Sequence, residues 1–217
     1  MPSEDALAAV RPYLQYVTRP ANDFIADLER FSAVLAKWQR VQNLVSRETL
    51  PQIWIRHIAD SLQVLPLLRS EDSSFLDLGS GGGFPAIPLA IALKGGGQRF
   101  LLVEPNSRKA SFLRAIAREL ELPVTVEARR SEALDPGETG AFDIITSRAL
   151  APLTTLCSLA APFFGPQTRA IFHKGREHVE ELAESSAVWH HDVLITKSAT
   201  DPDGVLIELK NLRLRTR

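Results

Sequence analysis

The sequence predicts an α/β fold, with a mostly parallel sheet of seven strands that follows a helical N-terminal extension. Before residue 70, apolar residues recur at intervals of three and four, as on one face of an amphipathic helix. After residue 75, short apolar runs alternate with helical patterns, which is typical of parallel strands joined by helical crossovers. We expect residues 1–70 to form the extension and residues 71–217 the sheet domain, packed together as one unit.

Two amphipathic helices are predicted in the extension. The first, with Asn22 as its N-cap, carries the apolar series Phe24, Leu28, Phe31, Leu35 and Trp38. The second carries the apolar series Leu50, Trp54, Ile58, Leu62 and Leu65. Residues 43–46 break the pattern between the two helices and indicate a connection.

Seven short apolar runs give the strands of the sheet. The expected strands are 75–78, 99–103, 124–127, 142–147, 169–173, 188–196 and 205–209. Helical patterns lie between Ser107 and Pro123, from about 152 to 163, and from about 176 to 186. Only the turn 201–204 separates the last two strands, so they should form an antiparallel hairpin at one edge of the sheet, with the last strand antiparallel.

A glycine-rich stretch at residues 75–88 reads as a strand, a tight turn and the start of a helix. Four glycines within five residues allow positive φ and let a ligand approach the bare backbone. Pro85 suits a first helical turn, and exposed amides at a helix N-terminus attract an electron-rich ligand. A P-loop is excluded because no Gly-Lys-Ser/Thr ends the turn.

The choice of cofactor depends on the residues around this turn. A dinucleotide fingerprint can be placed on Gly81-x-Gly83-x-x-Ala86, but Pro85 and Pro88 stand where its long helix should begin. A second apolar run ends in Glu104, at the tip of the second strand. An acid at that place can accept hydrogen bonds from ribose hydroxyls, both in NAD enzymes and in S-adenosylmethionine (SAM) methyltransferases. From these residues alone both cofactors stay open.

Several polar residues follow the predicted strands, and parallel strands bring their carboxyl ends to one edge of the sheet. These residues include the turn after the first strand, Glu104 after the second, Ser131-Glu132 after the third, Arg148 after the fourth and Lys174 after the fifth. This edge is therefore the expected ligand site.

The motifs along the chain resemble those of the RsmG (GidB) family. They occur in the family's order as Asn43-Leu44, His57-Ile-Ala-Asp60-Ser61-Leu62, Asp77-Leu-Gly-Ser-Gly-Gly-Gly-Phe-Pro-Ala-Ile-Pro88, Arg129-Arg130-Ser131-Glu132, Ser147-Arg148-Ala149 and Lys174-Gly175. Ala86 and Arg129 depart from the pattern, since the family usually has glycine at both positions. The resemblance implies a Rossmann-like SAM methyltransferase fold.

The resemblance also implies a set of site residues. The expected contacts to SAM come from Asp77, Gly79, Gly81, Phe84, Glu104, Ser131, Glu132 and Arg148. Among these, the backbone from Gly79 to Gly83 meets the amino-acid end of SAM and Glu104 the ribose, while Ser131 and Glu132 lie beside the adenine. Arg148 and Lys174 are expected to position the reactants rather than to act as bases. The expected RNA contacts are Arg130, Arg148, Lys174 and Arg176.

The activity implied by the family is transfer of a methyl group from SAM to N7 of a guanosine in 16S ribosomal RNA of the small ribosomal subunit. Two alternatives stay open on the residues themselves. One is a SAM methyltransferase that acts on another RNA site, a small molecule or a protein. The other is a non-catalytic nucleotide-binding module with the same fold.

Three polar residues of the second helix, His57, Asp60 and Ser61, have side-chain types found in a catalytic triad. On one helix they do not supply a separately oriented nucleophile, base and acid. We therefore expect them to dock the helix on the edge of the sheet or to contact the substrate. His173 and the pair His190-His191 lack ligand partners at metal-binding spacing, so no metal is expected.

The composition limits the partners and the compartment. The formal net charge is −1, so RNA binding requires a local basic surface, and neither DNA nor a membrane is an expected partner. The single cysteine, Cys157, suits a reducing cytosol. The acidic first five residues lack the pattern of a signal peptide. We expect a cytoplasmic monomer.

Overall fold

All seven expected strands are present in the computed structural model, which describes residues 2–215. They are β1 (Ser74–Leu78), β2 (Arg99–Val103), β3 (Val124–Glu127), β4 (Ile144–Arg148), β5 (Arg169–Lys174), β6 (Trp189–Lys197) and β7 (Val205–Leu214). The order in the sheet is β3-β2-β1-β4-β5-β7-β6. Met1, Thr216 and Arg217 lie outside the described residues.

The strand directions match the predicted fold class. Strands β1 to β5 are parallel, and β7 is antiparallel to both of its neighbours, β5 and β6. The antiparallel hairpin at the edge of the sheet is confirmed, with β7 inserted between β5 and β6. β7 extends to Leu214, beyond the expected residue 209, because β6 continues to pair with it across a register shift between His190 and Asp192.

Helices precede the sheet and connect its strands. The α-helices are α1 (Glu4–Val10), α2 (Ala21–Gln39), α3 (Asp60–Leu62), α4 (Ala86–Ala92), α5 (Ser107–Glu119), α6 (Pro136–Thr139), α7 (Leu153–Ala160) and α8 (His178–Val188). The 3₁₀ segments are Arg11–Tyr16, Leu50–Gln52, Leu65–Leu67, Ser131–Ala133 and Ala161–Phe163. None of the helices in residues 2–215 combines the length and apolarity that crossing a bilayer requires.

The extension differs from the sequence prediction in two details. The second helix is not one regular helix: Leu50–Gln52 is 3₁₀, Trp54–Ala59 is a π-helix and only Asp60–Leu62 is α-helical. Asn22 is not the N-cap of α2, because the helix already starts at Ala21 after Pro20. Pro20 provides no side-chain cap, but its ring presets the backbone φ at −55° where the chain enters the helix.

Two apolar cores cover the two faces of the sheet, as the alternation of side chains along a strand requires. Phe75 of β1 belongs to the core shared with α1, α2, α4 and α5, and its neighbour Leu76 belongs to the core shared with α7. The extension is therefore part of the first core and does not form a separate one. Phe31 of α2 is completely buried there and lies 5.3 Å from Phe84 and 6.4 Å from Phe112, measured between ring centroids.

The shared core leads to a prediction about stability. Phe31→Ala removes a completely buried ring, so the free energy of unfolding should fall by about 3–5 kcal/mol. Urea unfolding followed by both circular dichroism and tryptophan fluorescence measures the loss. Both signals should still change together, because the extension and the sheet share one core. Val41→Ala is the control, since Val41 is 75% exposed and its truncation should leave stability almost unchanged. Two separate transitions in the unaltered chain would contradict packing as one unit.

Candidate functional site

An open cavity of about 840 Å³ lies at the carboxyl ends of β1, β2 and β4. The chain order reverses between β1 and β4, and this is where open α/β sheets leave a crevice for ligands. Three segments from the carboxyl edge of the sheet contribute lining residues, within 79–84, 104–105 and 148–150. A loop of the extension, within residues 43–49, lines the cavity as well. The volume falls in the usual range for small-molecule sites.

The glycine turn, residues 79–83, presents bare backbone to this cavity. Its start is fixed to β2, because the amides of Gly79 and Ser80 both donate to the carbonyl of Val103, at 2.9 and 3.1 Å. Gly81 has a φ of +53°, and the position of a Cβ added there would have no other atom within 3.8 Å. The space beside Gly81 is therefore available to a ligand, which is the role expected for this residue.

Glu104, which follows β2, holds the turn from the other side. One carboxylate oxygen accepts a hydrogen bond from the Gly81 amide and the other accepts one from the Asn106 amide, both at 2.8 Å. The side chain lines the cavity although the residue is only 6% exposed. A carboxylate has about four acceptor positions, so Glu104 can orient the turn and still accept from a ligand hydroxyl.

Asp77 lies beneath the turn and not on the wall of the cavity. One oxygen accepts a hydrogen bond from the Thr146 hydroxyl at 2.7 Å, and the other is buried without a hydrogen-bond partner among residues 2–215. Burial raises the pKa of Asp77 from 3.8 to about 7. A positive group that arrives near this carboxyl would restore its charged form.

Arg148 ends β4 and enters a cluster of side chains with the extension. Its guanidinium donates to the Asp60 carboxylate and to the Arg56 carbonyl, both at 3.1 Å, and also to Nδ1 of His57. It also lies over the ring of Phe84, 5.0 Å from the centroid, and the His57 ring is 5.0 Å from the same centroid. Asp60, His57, Phe84 and Arg148 all line the cavity, so the cluster forms one of its walls.

The protonation states of this cluster follow from its contacts. Burial and the neighbouring charge of Arg148 lower the pKa of His57 to about 3. Its Nδ1 accepts from Arg148, so Nε2 carries the proton and donates to the Thr49 hydroxyl at 2.7 Å. Burial tends to raise the pKa of Asp60, but electrostatic interactions with His173 and Arg148 and hydrogen bonds from Thr200 and Arg148 keep it below its ordinary value. The wall is therefore a neutral imidazole beside an ion pair.

Other predicted site residues do not line this cavity. Ser131 is buried and Glu132 exposed in the 3₁₀ turn after β3, and Arg130 is exposed just before them. Lys174 lines a smaller cavity of about 240 Å³ and is paired with Glu181 at 2.5 Å. Arg176 is on the surface and contacts Asp203 at 3.0 Å.

The structure also brings in residues that the sequence reasoning did not assign to the site. The loop 43–49 of the extension covers the glycine turn and contributes six lining residues: Asn43, Leu44, Val45, Ser46, Arg47 and Thr49. Leu150 lies against Gly79, and Thr200 and Asp201 reach the cavity from the turn between β6 and β7. Only the Asn43-Leu44 motif marked this loop in the sequence, since its contacts depend on how the extension packs.

Comparison with known proteins identifies the family. Residues 24–203 match the sequence pattern of GidB, described as rRNA small subunit methyltransferase G. The "Ribosomal RNA small subunit methyltransferase G" of Cereibacter sphaeroides is 44% identical, covering 88% of this chain and 91% of that protein. The protein of the same name from Gluconobacter oxydans is 45% identical, covering 86% and 93%. This chain belongs to the GidB family.

The fold and cofactor of this GidB chain agree with that assignment. A putative O-methyltransferase from Klebsiella pneumoniae has the same fold, with a TM-score of 0.56 over 85% of this chain and 90% of that protein, at 17% identity. The family resemblance, the Rossmann-like methyltransferase fold, the methyltransferase class and the SAM cofactor expected from the sequence are confirmed.

The residues of the cavity fit SAM. SAM combines a nucleoside with a charged amino-acid end, and the glycine turn offers backbone amides with open space beside Gly81. Glu104 offers a carboxylate to hydroxyl groups. Residues 2–215 contain no group of three or more His, Cys, Asp or Glu side chains placed to hold a metal ion.

A first prediction concerns Gly81. In Gly81→Val a branched side chain enters the space open to the cofactor and the backbone is strained at positive φ, so binding of SAM or S-adenosylhomocysteine should fall below calorimetric detection. Gly97→Val is the matched control, because Gly97 has a φ of +88°, has open space around it and lies in a turn outside the cavity. The unaltered chain should bind SAM and give no heat with NAD. Heat with NAD but none with SAM would refute the cofactor assignment.

A second prediction concerns the buried carboxyl of Asp77. Its pKa is higher in the folded state than in the unfolded state, so its contribution to stability is fully present below the unfolded value of 3.8 and is lost as the pH rises through about 7. Asn does not titrate, and its side-chain oxygen can still accept from Thr146. The difference in the free energy of unfolding, Asp77→Asn minus the unaltered chain, should therefore increase by roughly 2–3 kcal/mol when the pH is raised from 5 to 8. Urea unfolding of both proteins without cofactor at pH 5 and pH 8 measures this difference. The same difference at the two pH values would disprove the argument that burial raises the pKa of Asp77.

Proposed function

We propose that this chain transfers the methyl group of SAM to N7 of a guanosine in 16S ribosomal RNA of the small ribosomal subunit. Membership of the GidB family, whose matched relatives are named ribosomal RNA small subunit methyltransferase G, supports an RNA substrate. The observation that carries the proposal is the cavity at the strand-order reversal, where the glycine turn and Glu104 meet the Arg148 cluster. We assign a cytoplasmic location and a monomeric state as part of the same proposal.

The lining of the cavity supports a set of proposed cofactor contacts. The amides of residues 79–83 are assigned to the amino-acid end of SAM, with Asp77 beneath them as a negative charge for its ammonium group. Glu104, already oriented by Gly81 and Asn106, is assigned to the ribose hydroxyls. Phe84 and Arg148 form the wall beside them. The assignment of Ser131 and Glu132 to the adenine rests on the family resemblance and stays a prediction.

The chemistry required of the protein is positioning. When bound, SAM supplies an electrophilic methyl group on a positively charged sulfur. N7 of neutral guanine has an in-plane lone pair and no proton, so its methylation needs no general base. The side chains at this wall agree with that requirement: both nitrogens of His57 are engaged by Arg148 and Thr49, and Asp60 is held by Arg148 and Thr200. Holding the reactants in line can provide much of the rate enhancement.

The internal contacts of the basic residues refine the proposed RNA surface. Arg148 and Lys174 are bound to carboxylates within the protein, so their proposed role is to shape the site next to the RNA. Arg130 and Arg176 are exposed and suit phosphate contacts. Arg47 and Lys109, at the cavity itself, add positive charge beside the entrance. With a net charge of −1, RNA must be attracted by such a local group.

Methyl transfer to RNA tests the proposed function directly. The purified chain is incubated with tritiated SAM and small ribosomal subunits, or with naked 16S RNA. Borohydride reduction followed by aniline cleaves RNA at N7-methylguanosine and locates the modified position. The expected result is label at one guanosine that becomes sensitive to this cleavage, with Gly81→Val as the inactive control. Label on a ribose hydroxyl or an exocyclic amine, or label on protein alone, would disprove the proposal.

The RNA surface gives a prediction that separates RNA binding from cofactor binding. Arg130→Ala should weaken RNA binding several-fold and lower the slope of log affinity against log salt by about 1, because one phosphate contact is lost. Cofactor affinity should not change. Arg118→Ala is the matched control, since Arg118 is exposed at the end of α5 that points away from the carboxyl edge. Filter binding measures these slopes. Equal salt slopes for Arg130→Ala and the unaltered chain would show that Arg130 is not part of the RNA-binding surface.

A further inference from the structure

The loop that covers the glycine turn has little regular structure of its own. Residues 43–49, here called the roof loop, form most of the connection between α2 and the 3₁₀ segment Leu50–Gln52. The roof loop touches the turn closely, because a Cβ added at Gly82 would lie 2.8 Å from the carbonyl oxygen of Leu44. A shift of Leu44 therefore changes both the roof of the cavity and the space above the turn.

One side chain outside the cavity holds this end of the roof loop. The Gln39 carboxamide oxygen accepts from the amides of Leu44 at 2.8 Å and Val45 at 3.1 Å, and its nitrogen donates to the carbonyl of Val45 at 2.8 Å. Gln39 thus pairs with both backbone groups of Val45, as a peptide unit of a neighbouring strand would do. It is the last residue of α2 and does not line the cavity.

The other end of the roof loop is fastened independently. The Ser46 and Thr49 hydroxyls are 2.8 Å apart, and Thr49 accepts from Nε2 of His57 at 2.7 Å. His57 belongs to the Arg148 cluster, so this second attachment does not involve Gln39. Loss of Gln39 would release the end at Leu44 and Val45 and leave the end at Thr49 in place.

We infer that Gln39 is a positioning residue for the cofactor site, which acts by holding the roof loop over the glycine turn. The inference rests on the proposed function only in taking this cavity as the site of SAM. Removal of Gln39 weakens cofactor capture, because the loop end at Leu44 and Val45 is released. Gln39 itself touches neither the cavity nor the Arg148 cluster. Its removal therefore does not change methyl transfer once SAM is saturating.

Two variants and one control test this role. Gln39→Ala removes all three hydrogen bonds and should raise the KM and Kd for SAM roughly tenfold or more, with kcat within about twofold. Gln39→Glu keeps an acceptor for the amides of Leu44 and Val45, but its second carboxylate oxygen faces the carbonyl oxygen of Val45 with no proton to donate, so it should also raise the KM and Kd for SAM. Gln15→Ala is the matched control: its exposed side chain donates to the carbonyl of Pro12, outside the roof loop and the cavity, and its loss should not affect either constant.

Limited trypsin digestion separates local loosening of the roof loop from a loss of global stability. Arg47 lies within the roof loop and is exposed, so Gln39→Ala should speed cleavage after Arg47 without lowering the global melting temperature. S-adenosylhomocysteine should slow that cleavage in the unaltered chain.

The outcomes separate this inference from the proposed function. If the unaltered chain binds SAM and Gln39→Ala equals it in KM, Kd and trypsin resistance, the inference is overturned. A fall in kcat at unchanged KM would also overturn it, because Gln39 would then act on the transfer step. Failure of the unaltered chain to bind SAM would instead refute the proposed function.

Discussion

The crevice between the carboxyl ends of β1 and β4 is the constraint on which the site depends. The helix that follows β1 packs in the core on one face of the sheet, and the helix that follows β4 packs in the core on the other face. The chain therefore leaves these two neighbouring strands in opposite directions, and no helix fills the edge between them. Backbone amides at this edge remain available, and Gly79, Gly81 and Gly83 let the turn after β1 expose them at positive φ without the strain that a side chain would add.

The N-terminal extension completes this crevice and does more than cover one face of the sheet. It supplies Asp60, whose carboxylate pairs with Arg148 at the end of β4, and the roof loop that touches the glycine turn. Both members of the ion pair are largely withdrawn from water, which is costly unless each charge keeps its partner. The π-helical turn Trp54–Ala59 places His57 and Asp60 on this wall, and such turns are frequent at functional sites. The cavity and the extension are thus joined around Arg148.

Local patterns explain what could be predicted at the level of single elements. The alternating strands and helices, the antiparallel hairpin and the glycine turn were all recognisable, because each depends on residues close together in the chain. The sequence predicts a regular second helix in the extension, because Leu50, Trp54, Ile58 and Leu62 recur every four residues. This spacing does not distinguish an α-helix from the π-helical segment Trp54–Ala59. Residue type alone favours Asn22 as an N-cap, but α2 already starts at Ala21, directly after Pro20.

By itself the sequence determined the fold class, the glycine turn, the acid at the tip of β2 and, through its motifs, the family. It could not determine how these residues are used, because the deciding contacts join distant parts of the chain. Glu104 binds the Gly81 amide 23 residues away, and Arg148 binds Asp60 across 88 residues. Hydrogen bonds and charges act over a few ångströms, so such pairs exist only after the extension has packed on the sheet. Only the tertiary structure therefore decided that Arg148 is an internal partner of Asp60, that Asp77 is a buried carboxyl beneath the turn, and that residues 43–49 form the roof of the cavity.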